Sequence, residues 1–393
     1  MLVVTVALVG LNLRPFMTSI GPVAAKIRAG TGLNLQGIAL LTLVPMLFMG
    51  LIAFVGPKLQ NAIGERRAII SALFIICCGC ALRLLVSNGW FMVVTAAIIG
   101  LGVAIIQATF PSLIKREFIH HLGPMMGLYS AMLMGGGVLG AMVAPVVTNL
   151  SGSWNIGLAI FTLPAILALA LAFIFIPKHA AHKQVKISSG HFLSQPRTWL
   201  LISCFGLVNG GYTSIVAWLS PAFQDLGWSS TSSGNLLAVL TLSQALSALG
   251  LPLLSRHSKD RRAWILLTLA MQVIGFAGLA FAPELCPFIW AIFTGAGLGG
   301  CFALFMIVVL DHLPHPAHAG MLSAFMQGGG FLLAAIAPWF VAVLHGMTGT
   351  YTAGWIWHLL SVILVSTLVS RLDPKDYANV IALPESATTI KPE

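Results

Sequence analysis

The chain is 393 residues long, 58% hydrophobic and only 8% charged, with a mean hydropathy of +0.96. Soluble domains carry about 25% charged residues, so this composition excludes an ordinary cytosolic enzyme, and its apolar content excludes a disordered chain. The net charge of +10 gathers between apolar runs, which makes it an orientation signal rather than a nucleic-acid footprint.

A bilayer core about 30 Å thick needs roughly 20 apolar residues per helix. Windows of that length predict twelve spans, near 2–22, 37–57, 68–86, 90–111, 125–148, 156–176, 198–220, 233–254, 263–282, 288–310, 320–344 and 354–370. The expected fold is an all-α membrane protein with twelve transmembrane helices. Its six-helix halves are 1–177 and 198–371, joined by a hydrophilic linker at 178–197 and followed by a tail at 372–393. The first basic residue is Arg14, so the opening run lacks the basic start of a signal peptide and reads as a retained span. With the N-terminus inside, sixteen of the twenty Lys and Arg residues fall in cytoplasmic loops, linker and tail. Two, Lys26 and Arg28, lie outside, and two, Arg14 and Arg83, lie in the membrane. The positive-inside rule then places both termini in the cytoplasm. The six cysteines lie in or beside apolar runs, which argues against a disulfide framework.

The halves repeat each other in parallel. Span five, 127–147, aligns without gaps to span eleven, 320–340, with ten of twenty-one positions identical, including the triple glycines at 135–137 and 328–330 and the pair Pro145/Pro338. At an offset of 195, Thr18-Ser19-Ile20 matches Thr213-Ser214-Ile215, and Glu65-Arg66-Arg67-Ala68 is echoed by Asp260-Arg261-Arg262-Ala263. Similar segments of like orientation six spans apart mark two bundles related by an axis along the membrane normal, with a substrate site between them near the midplane. The small residues Ala131, Gly135, Gly136 and Gly140, and Ala324 with Gly328, suit close helix approach. Sliding at the bundle interface is a second reading of the same residues.

Arg14 lies about 18 Å into span one at 1.5 Å per residue, where an arginine costs about 2.5–3.5 kcal/mol even on insertion scales. It is read as an anchor for an anionic or strongly polar substrate, the other reading being a structural pairing with helix ends or carbonyls. Pro15 follows and frees the carbonyl of Leu11. Arg83 sits four residues from Ser87-Asn88-Gly89, where a long side chain is expected to snorkel to water. Asn12, Gln107, Asn209, Tyr212, Gln244 and Gln327 are the other polar candidates inside spans; Asn209 is the counterpart of Arg14 at offset 195. Each is either an interhelical hydrogen bond or a cavity contact.

None of the ten acids falls in mid-span, so no proton-relay carboxylate is evident, and His345 and His358 are poor substitutes. A midplane arginine without an acid suggests that the substrate supplies the negative charge. The run Asp311-His312-x-x-His315-x-x-His318 has metal-ligand spacing, but Pro314 and Pro316 break the helix that would align it, and no metal or cofactor is expected. Nucleotide-binding and hydrolase motifs are absent from the sequence, and no nucleophile–base pair lies within the spans, so an enzyme is not expected. A receptor built on a transporter frame would need a signalling domain, for which the tail is too short.

The segments GLNLRPFMTSIGP (10–22), PSLIKREF (111–118), FGLVNGGYTSIVAWL (205–219), KDRRA (259–263), GAGLGGCF (295–302) and AFMQGGGF (324–331) resemble the cyanate porter family, a branch of the major facilitator superfamily, over essentially the whole length. The loop GPKLQNAIGERR (56–67) resembles the superfamily's loop signature but carries Gln60 where that signature has an aspartate, and it is one residue longer. The resemblance implies the major facilitator fold and a secondary transporter in the bacterial inner membrane. Its substrate would be a small anion such as cyanate, with Arg14 facing it and hydrogen bonds from some of Asn12, Gln107, Asn209, Tyr212 and Gln327. The alternative is an exporter of a neutral heteroaromatic such as a nitroimidazole. A monomer in the lipid bilayer, with no nucleic-acid partner, completes the expectation.

Overall fold

A computed structural model describes residues 1–118, 121–177, 190–258, 260–313 and 316–377. The expected linker is therefore described only from 190 and the tail only to 377, and Lys259, Pro314 and His315 lie outside the described residues, as does the side chain of Gln60. The described chain is built from α-helices. They are α1 (Leu2–Leu11), α2 (Pro15–Thr18), α3 (Ile20–Thr31), α4 (Leu35–Ile63), α5 (Glu65–Leu82), α6 (Gly89–Glu117), α7 (Leu122–Ser151), α8 (Trp154–Ala159) and α9 (Thr162–Phe175) in the first half. The second half holds α10 (Gly190–Leu193), α11 (Pro196–Asp225), α12 (Ser230–Leu254), α13 (Arg262–Phe281), α14 (Pro287–Asp311), α15 (Pro316–Thr348) and α16 (Thr352–Val369).

Eleven spans are long and apolar enough to cross a bilayer, and a bent pair, Leu2–Thr18 with Ile20–Thr31, supplies a twelfth. That bent pair corrects the expectation of one continuous first helix over 2–22. The chain leaves helical geometry after Leu11, makes one turn at Pro15–Thr18 and continues to Thr31 at an angle of 50°. Pro15 has no N–H to offer the Leu11 carbonyl, and its ring disfavours helical geometry at Arg14, which sits at φ −121°. Lys26 and Arg28, expected in a loop, ride on the last turns of α3, and Lys26 donates to Asn149 at 2.8 Å. Span six is interrupted too, between α8 and α9.

Helix ends follow local chemistry. Asn88 and Ser229 accept from the backbone N–H of Phe91 and Ser232 and so start α6 and α12. Gly32 and Gly152 end α3 and α7 in left-handed geometry at φ 71° and 69°.

The same neighbour pattern recurs in both halves. α4 and α5 pack on α6 as α12 and α13 pack on α14; α1 packs on α7 as α11 packs on α15; α5 meets α9 as α13 meets α16. The halves meet through α4 with α15, α7 with α12, and α3 with α11. α11 is the most enclosed span, with 83% of its window buried, and so lies at the centre. Leu150, Phe173, Ile174 and Leu246 are exposed on the perimeter, where lipid covers them.

Candidate functional site

The break in the first span is the focus of the site. α1 and α3, of 10 and 12 residues, reach about 15 and 18 Å on either side of it, so the break lies near the middle of the bilayer. The glycines of α7 make room for it. A side chain on Gly136 would overlap the Leu11 carbonyl oxygen, and one on Gly140 would stand 2.7 Å from Pro15 Cα. The Gly136 Cα–H thus points at the carbonyl that Pro15 leaves free, a recurrent weak contact between closely packed helices. Gly135 faces open space, so the triple glycine is not one uniform packing stripe. In the second half, Gly328 meets Phe54 and the Gly50 carbonyl of α4, while Gly329 and Gly330 meet Ile202 and Phe205 of α11.

Arg14 is buried, 6% exposed, with its guanidinium carbon 4.6 Å from the centre of the Tyr212 ring. The contact crosses from one half to the other: Arg14 belongs to the first span and Tyr212 to α11. Arg14 Nε and Tyr212 Oη are both buried without a hydrogen-bond partner. No ion pair among the described residues involves Arg14; Glu65 pairs with Arg116 and Asp311 with Arg261, both at helix ends. Thr241 of α12 completes the wall, its methyl group standing 2.8 Å from where a Gly137 side chain would begin, with Arg14 Cβ at 3.7 Å from the same point.

The other sequence candidates divide. Asn12 donates to the Leu8 carbonyl at 2.7 Å and the Pro164 carbonyl at 3.1 Å, so its amide ties the first span to α9. Asn209 donates to its own helix at Phe205, 2.8 Å away, and is buried on the Tyr212 side of α11. Gln327 donates to Ser323 at 3.2 Å. Gln107 is half-buried. Gln244 is buried with its Oε1 unpartnered. Sequence reasoning did not single out Tyr129, which is buried in α7 with its ring 5.6 Å from that of Phe110 of α6. It stands five residues into the predicted fifth span, and its sequence neighbours do not mark it as buried.

Arg83 corrects the snorkelling expectation. It is fully buried, its Nη2 donating to the Phe16 carbonyl at 3.4 Å while Nε and Nη1 have no partner. α8 folds over that end, and Asn155 bonds the carbonyls of Arg83 and Val86 at 2.9 and 3.0 Å, which closes the route to water. Of the metal-spaced run, His312 stacks on Tyr377 with centroids 3.8 Å apart. No group of three metal-ligating side chains occurs among the described residues.

The halves touch at both ends of the interface. At the end away from the termini, Gln224 donates to the Pro22 carbonyl at 2.9 Å and Asn149 to Thr231 at 3.1 Å. At the end carrying the termini, Phe54 and Phe192 both pack on Phe325, with centroids 5.4 and 6.0 Å away. Arg14 thus lies buried between these two sets of contacts.

The family described as Major Facilitator Superfamily matches residues 6–314 and 223–392. The cyanate transport protein CynX of Escherichia coli (strain K12) is 41% identical over 374 residues, 95% of this chain and 97% of that protein. The 2-nitroimidazole transporter of the same organism is 28% identical over 94% of this chain and 93% of its own length. Among solved structures, an inward-facing, occupied bacterial homolog of the human lysosomal transporter Spinster superposes with a TM-score of 0.78 at 15% identity, covering 95% of this chain and 97% of that one. A D-xylose–proton symporter does so at 0.75 and 14% identity, covering 97% of each. At those identities the two structures speak for the fold alone.

Proposed function

The chain belongs to the major facilitator superfamily, and from that premise we propose that it is a secondary transporter of a small anion, cyanate foremost. It works by alternating access between the halves 1–177 and 198–371. The observation that carries this reading is Arg14: a buried guanidinium at a mid-membrane break, facing the other half, with no carboxylate among the described residues to neutralise it. A buried charge without a counter-ion is costly, and a substrate anion would pair with it. The likeness to a cyanate transport protein supports cyanate as that anion. Tyr212, Gln107, Asn209, Gln327 and Gln244 are the side chains from which polar and ring contacts to the substrate would come, whereas Asn12 braces the break from behind.

The segregation of basic residues supports both termini lying in the cytoplasm, and the likeness to transport proteins of Escherichia coli supports a bacterial inner-membrane location. The Phe54–Phe325 contact then joins the halves on the cytoplasmic side, and inward opening would part it. Bringing an anion into a negative interior costs about 2.3 kcal/mol per 100 mV, so uptake needs symport, exchange or consumption inside. A second reading, export of a neutral heteroaromatic, draws on the Tyr212 ring at the site and on the likeness to a 2-nitroimidazole transporter.

Labelled-cyanate counterflow in proteoliposomes without an imposed gradient tests both. Arg14→Gln removes a charge-assisted interaction of about 1.5–3 kcal/mol, so affinity should fall by one to two powers of ten. Saturable exchange that survives the substitution would remove Arg14 from the site. No exchange by folded wild-type protein would sink cyanate and bring the nitroimidazole reading forward.

A further inference from the structure

The two halves treat their loop arginines differently. Arg66 and Arg67 correspond to Arg261 and Arg262 at offset 195. In the second half both cations meet carboxylates of their own chain: Arg261 pairs with Asp311, and Arg262 lies 2.7 Å from Asp260 and 3.1 Å from Asp373. In the first half the counterpart of Asp260 is Glu65, which turns away to Arg116 at 2.6 Å and Ser112 at 2.6 Å. In the sequence the counterpart of Asp373 is Lys178, a cation rather than an acid, which lies outside the described residues. Arg66 is held by the Phe173 and Ile176 carbonyls, at 2.6 and 2.8 Å, which fixes the guanidinium without adding a carboxylate. Arg67 is exposed and makes no ion pair with a described residue.

These two arginines stand at the mouth of a groove of about 770 Å³ between α5 and α9. Its walls are apolar, with Phe74 and Ile166 58% and 50% exposed on the perimeter of the bundle. The groove therefore pairs two arginines, without an acidic partner among the described residues, at headgroup depth with an apolar trough running into the hydrocarbon. Basic pockets between spans are the expected seats of anionic lipid headgroups.

We propose that this groove is a binding site for an anionic phospholipid of the leaflet on the basic side. Its phosphodiester sits between Arg66 and Arg67, and one acyl chain lies along Phe74 and Ile166. The lipid supplies to the first half the negative charge that Asp260 and Asp373 supply to the second. This holds whatever the carrier transports.

Native mass spectrometry of the full-length protein, offered phosphatidylglycerol, phosphatidylethanolamine or inorganic phosphate, tests it. Wild type should retain one phosphatidylglycerol in preference to phosphatidylethanolamine. Removing one cation with Arg67→Gln should weaken retention about fivefold, while Arg262→Gln, whose charge is already neutralised, should leave it unchanged. Ala170→Trp fills the trough while leaving both arginines in the chain and should also release the lipid. Equal retention of the zwitterionic lipid, displacement by inorganic phosphate, or full retention by Arg67→Gln or Ala170→Trp would each overturn the proposal.

Discussion

Gly136→Ala tests whether the break in the first span is held open by α7. The new Cβ would overlap the Leu11 carbonyl oxygen and lie 2.9 Å from its carbon, with Pro15 Cδ at 3.2 Å. Carbon atoms pack at about 3.5–4.0 Å, so α7 and the break must part by on the order of 1 Å. Both obstacles are backbone or proline ring, and neither can rotate away. Overpacking of this kind costs about 1–3 kcal/mol, and the displacement moves the segment that carries Arg14. The control is one residue away: Gly135→Ala meets nothing within 4 Å. Thermal unfolding of the purified protein should show a lowered Tm for Gly136→Ala and none for Gly135→Ala, and counterflow should fall on the order of tenfold in the first variant only. If Gly136→Ala matched Gly135→Ala in both assays, the glycines would not be spacers for the break and the account of the site would be wrong.

Two further outcomes are expected. Arg83→Met should unfold at or above the wild-type temperature, because a buried guanidinium with a single 3.4 Å bond gains little for its desolvation and an apolar side chain of similar length is often neutral or better; a fall of several degrees would show that the charge is a net stabiliser. Just beyond α14, burial pushes the His312 imidazole down to about 4, against the lesser opposing effect of its Nδ1–H bond to the Val308 carbonyl. The folded protein then stays unprotonated there while the unfolded chain takes up a proton below its ordinary value of 6.5, so stability should fall as pH drops from about 6.5 to about 4. His312→Gln should flatten that part of the Tm–pH curve, and an unchanged curve would count against it.

The spans, the parallel repeat and the membership of the superfamily were legible because the bilayer and the repeat write them into composition and spacing. What was not legible depended on contacts between distant segments. Pro15 announces a perturbed helix, but the Leu11 carbonyl can stay free only because Gly136, 125 positions on, presents a bare Cα to it. Arg83 reads as a snorkelling residue from its own neighbours, and only the turn of α8, with Asn155 on the Arg83 and Val86 carbonyls, buries it. Asn12 and Arg14 look alike as mid-span polar residues. The bend points them apart, one to the Pro164 carbonyl inside its own half and the other to Tyr212 across the interface.

That crossing contact bears on how the carrier cycles. The Tyr212 ring covers the Arg14 charge from the opposite half, a desolvated cation–π contact of about 2 kcal/mol. When the halves rock apart it weakens, and an empty carrier is left with a guanidinium whose Nε has no partner. If the proposed anion site is right, a bound anion would stay with Arg14 through the transition and offset that loss. The loaded carrier should therefore reorient faster than the empty one, and labelled-cyanate exchange should outpace net uptake into anion-free vesicles by about tenfold or more, since about 1.4 kcal/mol of the contact is enough for that ratio. Tyr212→Leu removes the ring and with it the penalty specific to the empty state, so exchange and net flux should converge in that variant. Equal rates of exchange and net flux in the wild type would mean that the Arg14–Tyr212 contact does not govern reorientation, and that a group elsewhere in the interface sets the barrier.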